Sequence, residues 1–125
     1  MRRTGSPADA ALRSFVASLA LREAFVAVTG QDDAFGLKWP NDVLLKGGKV
    51  AGILLETLGE HLVIGIGVNL VHAPRPEQVE QGAVTPVSLL GATGVSVAPE
   101  SFLDALAVAF ARLENQYVTY GFAPI

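Results

Sequence analysis

At 125 residues the chain is one domain by size, and nine Lys plus Arg against twelve Asp plus Glu, a formal charge of −3, leave no basic stripe of the kind nucleic-acid binding requires. Half of the residues are apolar, yet no run reaches the roughly 20 apolar residues needed to cross a bilayer, and no signal-peptide pattern follows Arg2 and Arg3. The absence of cysteine excludes disulfides, thiolate metal sites and a thiol nucleophile together, and suits a cytoplasmic protein.

Ser6-Pro7-Ala8-Asp9 opens a helix, with Ser6 as N-cap, Pro7 at the first helical position and Asp9 in the positive first turn. The helix should run to about Val28 and stop at Gly30. Leu12, Phe15, Val16, Leu19 and Val26 share one face while Leu21 and Phe25 lie nearly opposite, so protein is expected on two sides. From Phe35 the pattern changes to strands over 35–39, 43–45, 50–58 and 61–70. Pro40-Asn41-Asp42, Lys46-Gly47-Gly48 and Gly59-Glu60 are turn signals between them, so residues 35–70 read as an antiparallel meander. Residues 71–86, with Pro74, Pro76 and Pro86, read as a loop over one end of the sheet, and Val87 to Leu90 as a short helical turn before Gly91. Pro99 then opens a second long helix to about Tyr120, with Phe102, Leu103, Leu106, Phe110, Leu113 and Tyr117 as its apolar stripe.

The last strand alternates unusually. Leu62, Ile64, Ile66, Val68 and Leu70 share one face, and His61, Val63, Gly65, Gly67 and Asn69 the other. Two successive positions without side chains, followed by a carboxamide, form a shallow trough that either a tightly packed helix or a bound small molecule would explain. Gly52 extends the trough if the strand register matches. Lys49 stands where turn becomes strand, near the trough, and reads either as a solvated charge or as a functional cation; Lys46 has no better claim. Asn41 and Asp42 suit an ordinary turn and also supply oxygen ligands fit for Mg²⁺. Trp39 reads as a core residue or a stacking platform, and Glu56 as a strand-end charge. His61 and His72 are not spaced as a metal pair, and no P-loop, dinucleotide fingerprint or Gly-Xaa-Ser-Xaa-Gly is present.

Three stretches together carry a resemblance: Lys38-Trp39-Pro40-Asn41-Asp42, Lys49-Val50-Ala51-Gly52-Ile53-Leu54-Leu55-Glu56 and Ile64-Gly65-Ile66-Gly67-Val68-Asn69. In this order and spacing they closely resemble the catalytic domain of biotin protein ligases. The resemblance implies an α+β fold with helices packed on a mixed, largely antiparallel sheet, the class II synthetase-like fold of biotin and lipoate ligases. It implies two steps, in which biotin and MgATP give biotinyl-adenylate and a lysine of a biotin carboxyl carrier protein then attacks it. Lys49 would match the catalytic lysine, and Asn41 and Asp42 would lie at the phosphate and Mg²⁺, with Asp42 assisting the incoming lysine. Gly52, Leu54 and Gly67 would line the biotin pocket, with Gly65 and Trp39 in the same substrate-binding set, and Asn69 would face the adenylate.

No stretch between Met1 and Ala34 matches the Gly-Arg-rich adenylate segment of that family, and its small C-terminal domain and DNA-binding helix-turn-helix are not matched either. The expectation is therefore the C-terminal part of a catalytic domain, whose open sheet pairs with a first half or with a second copy. A lipoate ligase and a non-catalytic binding module stand as the alternatives.

Overall fold

The computed structural model of the chain describes residues 7–38, 41–75 and 84–120; Ser6, Trp39, Pro40, Pro76 and Gly121 lie outside them. In chain order the elements are α1 (Pro7–Thr29), β1 (Phe35–Lys38), β2 (Asp42–Leu45), β3 (Gly48–Leu58), β4 (His61–Val68), α2 (Leu89–Thr93) and α3 (Pro99–Tyr120).

Helix α1 stops where Gly30 turns left-handed at φ 71°, its N–H donating to Val26 O at 2.7 Å. Two sides of α1 are covered. Ala17, Leu21, Ala24 and Phe25 pack toward the sheet residues Phe35, Val43, Leu45, Val50, Ala51 and Ile53, while Val16 and Ala20 meet Ala109 and Leu113 of α3. The division differs from the expected one, because Leu12, Phe15, Leu19 and Val26 remain half-buried while Ser14, Ala17, Ser18, Ala20 and Ala24 are buried. Small side chains let the helix approach its neighbours closely, and periodicity of large residues does not register them. Phe25 sits at the junction, stacked on Phe35 at 5.1 Å and tilted against Phe102 of α3 at 4.8 Å. Arg13 joins α1 to α3 through an ion pair with Glu114 and through its position 5.1 Å over the Tyr117 ring.

The four strands lie in the order β1-β2-β3-β4, each antiparallel to the next. Turn chemistry sets this meander. Leu45 pairs with Gly48 across Lys46 (φ 50°) and Gly47 (φ 85°), the two positive angles of a type I′ turn; Leu58 pairs with His61 across Gly59 (φ 59°) and Glu60. The expected mixed character shrinks, among the described residues, to a parallel bridge between Lys49 and Pro86. The fourth strand ends at Val68, and the short helix runs Leu89–Thr93 rather than 87–90. Ser88 caps it by accepting the Gly91 N–H, and Gly94 ends it in the left-handed conformation, so Gly91 is inside the helix. In α3, Phe102, Ala109 and Leu113 are buried but Leu103 is 62% exposed, one residue off the stripe.

Helix α1 packs on one face of the sheet, the face that carries Ile64, Ile66 and Val68, and α3, packed mainly on α1, reaches the same core with Phe102. The other face carries Gly65 and Gly67, and both are exposed.

Candidate functional site

Register assembles the exposed face. Lys38 pairs with Asp42, Asp42 with Gly52, and Gly52 with Gly67, so one row crosses all four strands. The next pair, Leu54 and Gly65, continues the trough along β3 and β4. Among the described residues nothing lies within 4 Å of a Cβ built on Gly67, and one on Gly65 would meet Leu54 O at an ordinary 3.6 Å. A helix packed on these glycines is thus not what the described residues contain; the trough is open, with Leu54, 61% exposed, at its rim.

Lys49 reaches this face because of a β-bulge. By strict alternation it would share the side of Ala51 and Ile53, both buried. The β2–β3 register instead shifts between Val43, paired with Ala51, and Leu44, paired with Lys49, leaving Val50 as the extra residue. Val50 and Ala51 are consecutively buried, and the parity beyond them is reversed. The Lys49 side chain then arches over Gly52, where an added Cβ would stand 2.9 Å from its Cε and 3.1 Å from its Nζ. Lys49 Nζ ends 3.2 Å from Asp42 Oδ1, with both side chains partly exposed. The missing side chain of Gly52 is what leaves room for this pair.

The other sequence candidates separate. Asn41 does not join Asp42: its Oδ1 accepts from the buried Ser14 Oγ on α1 at 2.7 Å. Asn69 spends its amide on the backbone, Nδ2 donating to Val87 O at 3.2 Å and to Lys49 O at 3.5 Å. Lys46 turns away to donate to Ala92 O at 3.1 Å. Trp39 lies outside the described residues. No group of three His, Cys, Asp or Glu side chains gathers among the described residues, so a metal here would depend on Asp42 and on oxygens of a bound substrate. That fits Mg²⁺, which commonly takes one or two carboxylates and completes its shell with phosphate and water.

Sequence reasoning missed a second concave feature. Beneath the sheet, an apolar groove of about 560 Å³ runs between Ile64, Ile66 and Val68 of β4 and Phe102, Leu103 and Leu106 of α3. Leu103, counted in the apolar stripe from sequence, instead lies exposed at the rim of this groove. Among the described residues no helix is long and apolar enough to cross a membrane.

The four-stranded meander carries its helices on one face and a Lys–Asp pair over paired glycines on the other, and comparison gives its class. The model of the biotin/lipoate A/B protein ligase family matches residues 3–69, and the chain belongs to that family. It is 54% identical over 130 residues to a biotin–[acetyl-CoA-carboxylase] ligase of Paracoccus denitrificans, covering all of this chain and 54% of the relative. It is 33% identical over 118 residues to the bifunctional ligase/repressor BirA of Bacillus subtilis, covering 86% of this chain and 35% of the relative. The fold matches the biotin protein ligase of Aquifex aeolicus with a TM-score of 0.82 at 25% identity, over 94% of this chain and 51% of that one. The Aquifex enzyme in complex with biotin and ATP matches with a TM-score of 0.74 at 27% identity, over 86% and 44%. The chain spans about half the length of the relative from Paracoccus and of the Aquifex structure.

Proposed function

We propose that this chain is the C-terminal part of a biotin protein ligase catalytic domain and carries its biotin- and phosphate-facing surface. The observation that carries the reading is Lys49, held to Asp42 at 3.2 Å over the Gly52–Gly67 row. A carboxylic acid whose apolar body lies along Gly67 and Gly65, against Leu54, brings its carboxylate under the Lys49 ammonium. The carboxylate oxygen attacks the α-phosphorus of ATP, pyrophosphate leaves, and the acyl-adenylate remains. A lysine amine of the carrier protein then attacks the acyl carbon and releases AMP.

Negative charge grows on the phosphoryl oxygens in the first step, and Lys49 is a fixed cation opposed to it. Asp42 orients that cation and is the residue that would hold Mg²⁺, which when bound neutralises phosphate charge. In the second step Asp42 also accepts the proton of the incoming amine. Biotin is favoured over lipoate as substrate because the named ligases among the relatives, at 54% identity in one case, act with biotin. The reaction belongs in the cytoplasm, where ATP is available. Pairing through the open edge of β4 and the groove beneath it would supply the remainder of the domain, the half of its relatives that this chain does not span.

The test joins this chain to that remainder of the Paracoccus ligase and follows carrier labelling with biotin and MgATP. Lys49→Met should slow adenylation by roughly 10²–10³-fold, the scale of losing one charge-stabilising donor, while Lys46→Met leaves it nearly unchanged. Equal behaviour of the two variants would refute the role of Lys49.

A further inference from the structure

We propose that Gly48 and Asn69 are positioning residues for Lys49, acting through the backbone segment Thr85–Val87; this rests on the reading of Lys49 as the cation at the reacting centre. Strand β4 ends at Val68 opposite Ala51, and beyond Val50, whose carbonyl still accepts from the Asn69 N–H, Lys49 has no β4 neighbour. Residues 85–87 fill it. The Lys49 N–H donates to Thr85 O at 2.9 Å and the Val87 N–H to Lys49 O at 2.9 Å, with Pro86 directly beside Lys49. Pro86 costs nothing there, since the residues before and after it make both bonds and its missing N–H would have faced away from β3.

Two residues hold this segment down. Asn69 donates from Nδ2 to Val87 O and Lys49 O, bridging the two chains, while its own N–H donates to Val50 O at 2.9 Å and its carbonyl accepts from Leu89 at 2.8 Å. Gly48 has no positive φ to account for it. A Cβ there would collide with Val87 Cγ1 and stand 3.2 Å from Thr85 O, so Gly48 is glycine because the segment lies on it. Val87 is β-branched and cannot swing aside freely. Both backbone hydrogen-bonding groups of Lys49 are thus fixed at the bulge that turns its side chain toward Gly52, and the ammonium inherits that placement.

The experiment uses the full chain, isotopically labelled, with amide exchange read by NMR and affinity for a non-hydrolysable biotinyl-adenylate analogue read by calorimetry. Gly48→Ala should speed exchange at the Lys49 and Val87 amides by at least tenfold, since their closed state is undone locally. The Ile53 amide, bonded to Asn41 O at 2.9 Å, should keep its rate and report that the sheet is intact. Analogue affinity should fall about tenfold. Adding Val87→Ala to Gly48→Ala removes the colliding methyls and should restore both readings. If Gly48→Ala does not fold, Asn69→Ala carries the same two expectations. Unchanged exchange at Lys49, or changed exchange with unchanged affinity, overturns the positioning role. A wild-type chain that binds no analogue overturns the reading of Lys49 itself, and is distinguished from those outcomes by being independent of any substitution.

Discussion

Lys49 and Gly52 work as one unit, and each limits what the other position can be. An alanine at 52 puts its Cβ 2.9 Å from Lys49 Cε and 3.1 Å from Nζ, but the crowded atoms are the far end of a flexible side chain, so the lysine moves and the sheet stays. The Lys49 side chain is 42% exposed, and pairs this accessible are worth at most about 1 kcal/mol. Gly52→Ala is therefore expected to leave the melting temperature within a few degrees while weakening the analogue, as calorimetric melts and titrations of the same sample would read. A large loss of stability would mean that Gly52 is a packing residue. Lys46 behaves oppositely. It is the one described non-glycine residue at positive φ, in a turn that favours Asn or Gly. Lys46→Asn should raise the unfolding free energy by up to about 1 kcal/mol, read as a higher urea midpoint at unchanged slope, because asparagine tolerates the left-handed region.

At the scale of elements, the strands of the meander were legible because each turn announces itself: Lys46-Gly47 and Gly59-Glu60 demand backbone angles that few other dipeptides take. The trough was legible too, since period-two alternation fixes Gly65 and Gly67 on the face opposite Ile64 and Ile66. The bulge was not. A register shift is decided by how β2 pairs with β3, and without it alternation turns Lys49 toward the core. The partners of Asn41 and Asp42 were not legible either: the turn residue Asn41 accepts from Ser14 on α1, while Asp42, the first residue of β2, pairs with Lys49. A short helical turn was legible before Gly91, but Gly91 looks like a stop until its cap bond to Ser88 is seen. A strand prediction follows from the open trough. Gly67→Val suits β-structure and its Cβ meets nothing described within 4 Å, so stability should change by less than about 1 kcal/mol, while the filled trough loses the analogue. A strongly lowered melt would point instead to protein packed on that face.

The whole molecule presents two surfaces of different character. Above the sheet lies a charged and glycine-lined trough; below it an apolar groove flanked by Leu103, 62% exposed, with β4 as the sheet's edge. An exposed apolar surface of this kind marks a contact still to be made. With the remainder of the ligase domain supplied as a separate polypeptide, the two should sediment as one complex, and Leu103→Arg should weaken it while the chain alone keeps its fold. Sedimentation of the chain as a dimer that Leu103→Arg dissociates would assign the groove to a second copy. The chain alone is expected to label a carrier domain at least about 10²-fold more slowly than the joined protein, because on the proposed reading the half of its relatives that it does not span supplies further phosphate contacts. The most direct measurement is an NMR titration of this chain with the biotinyl-adenylate analogue. The account predicts shifts concentrated at the amides of Gly52, Gly65 and Gly67 and at Lys49, and their loss in Gly67→Val. Shifts confined to the β4–α3 groove, or unchanged in Gly67→Val, would contradict it.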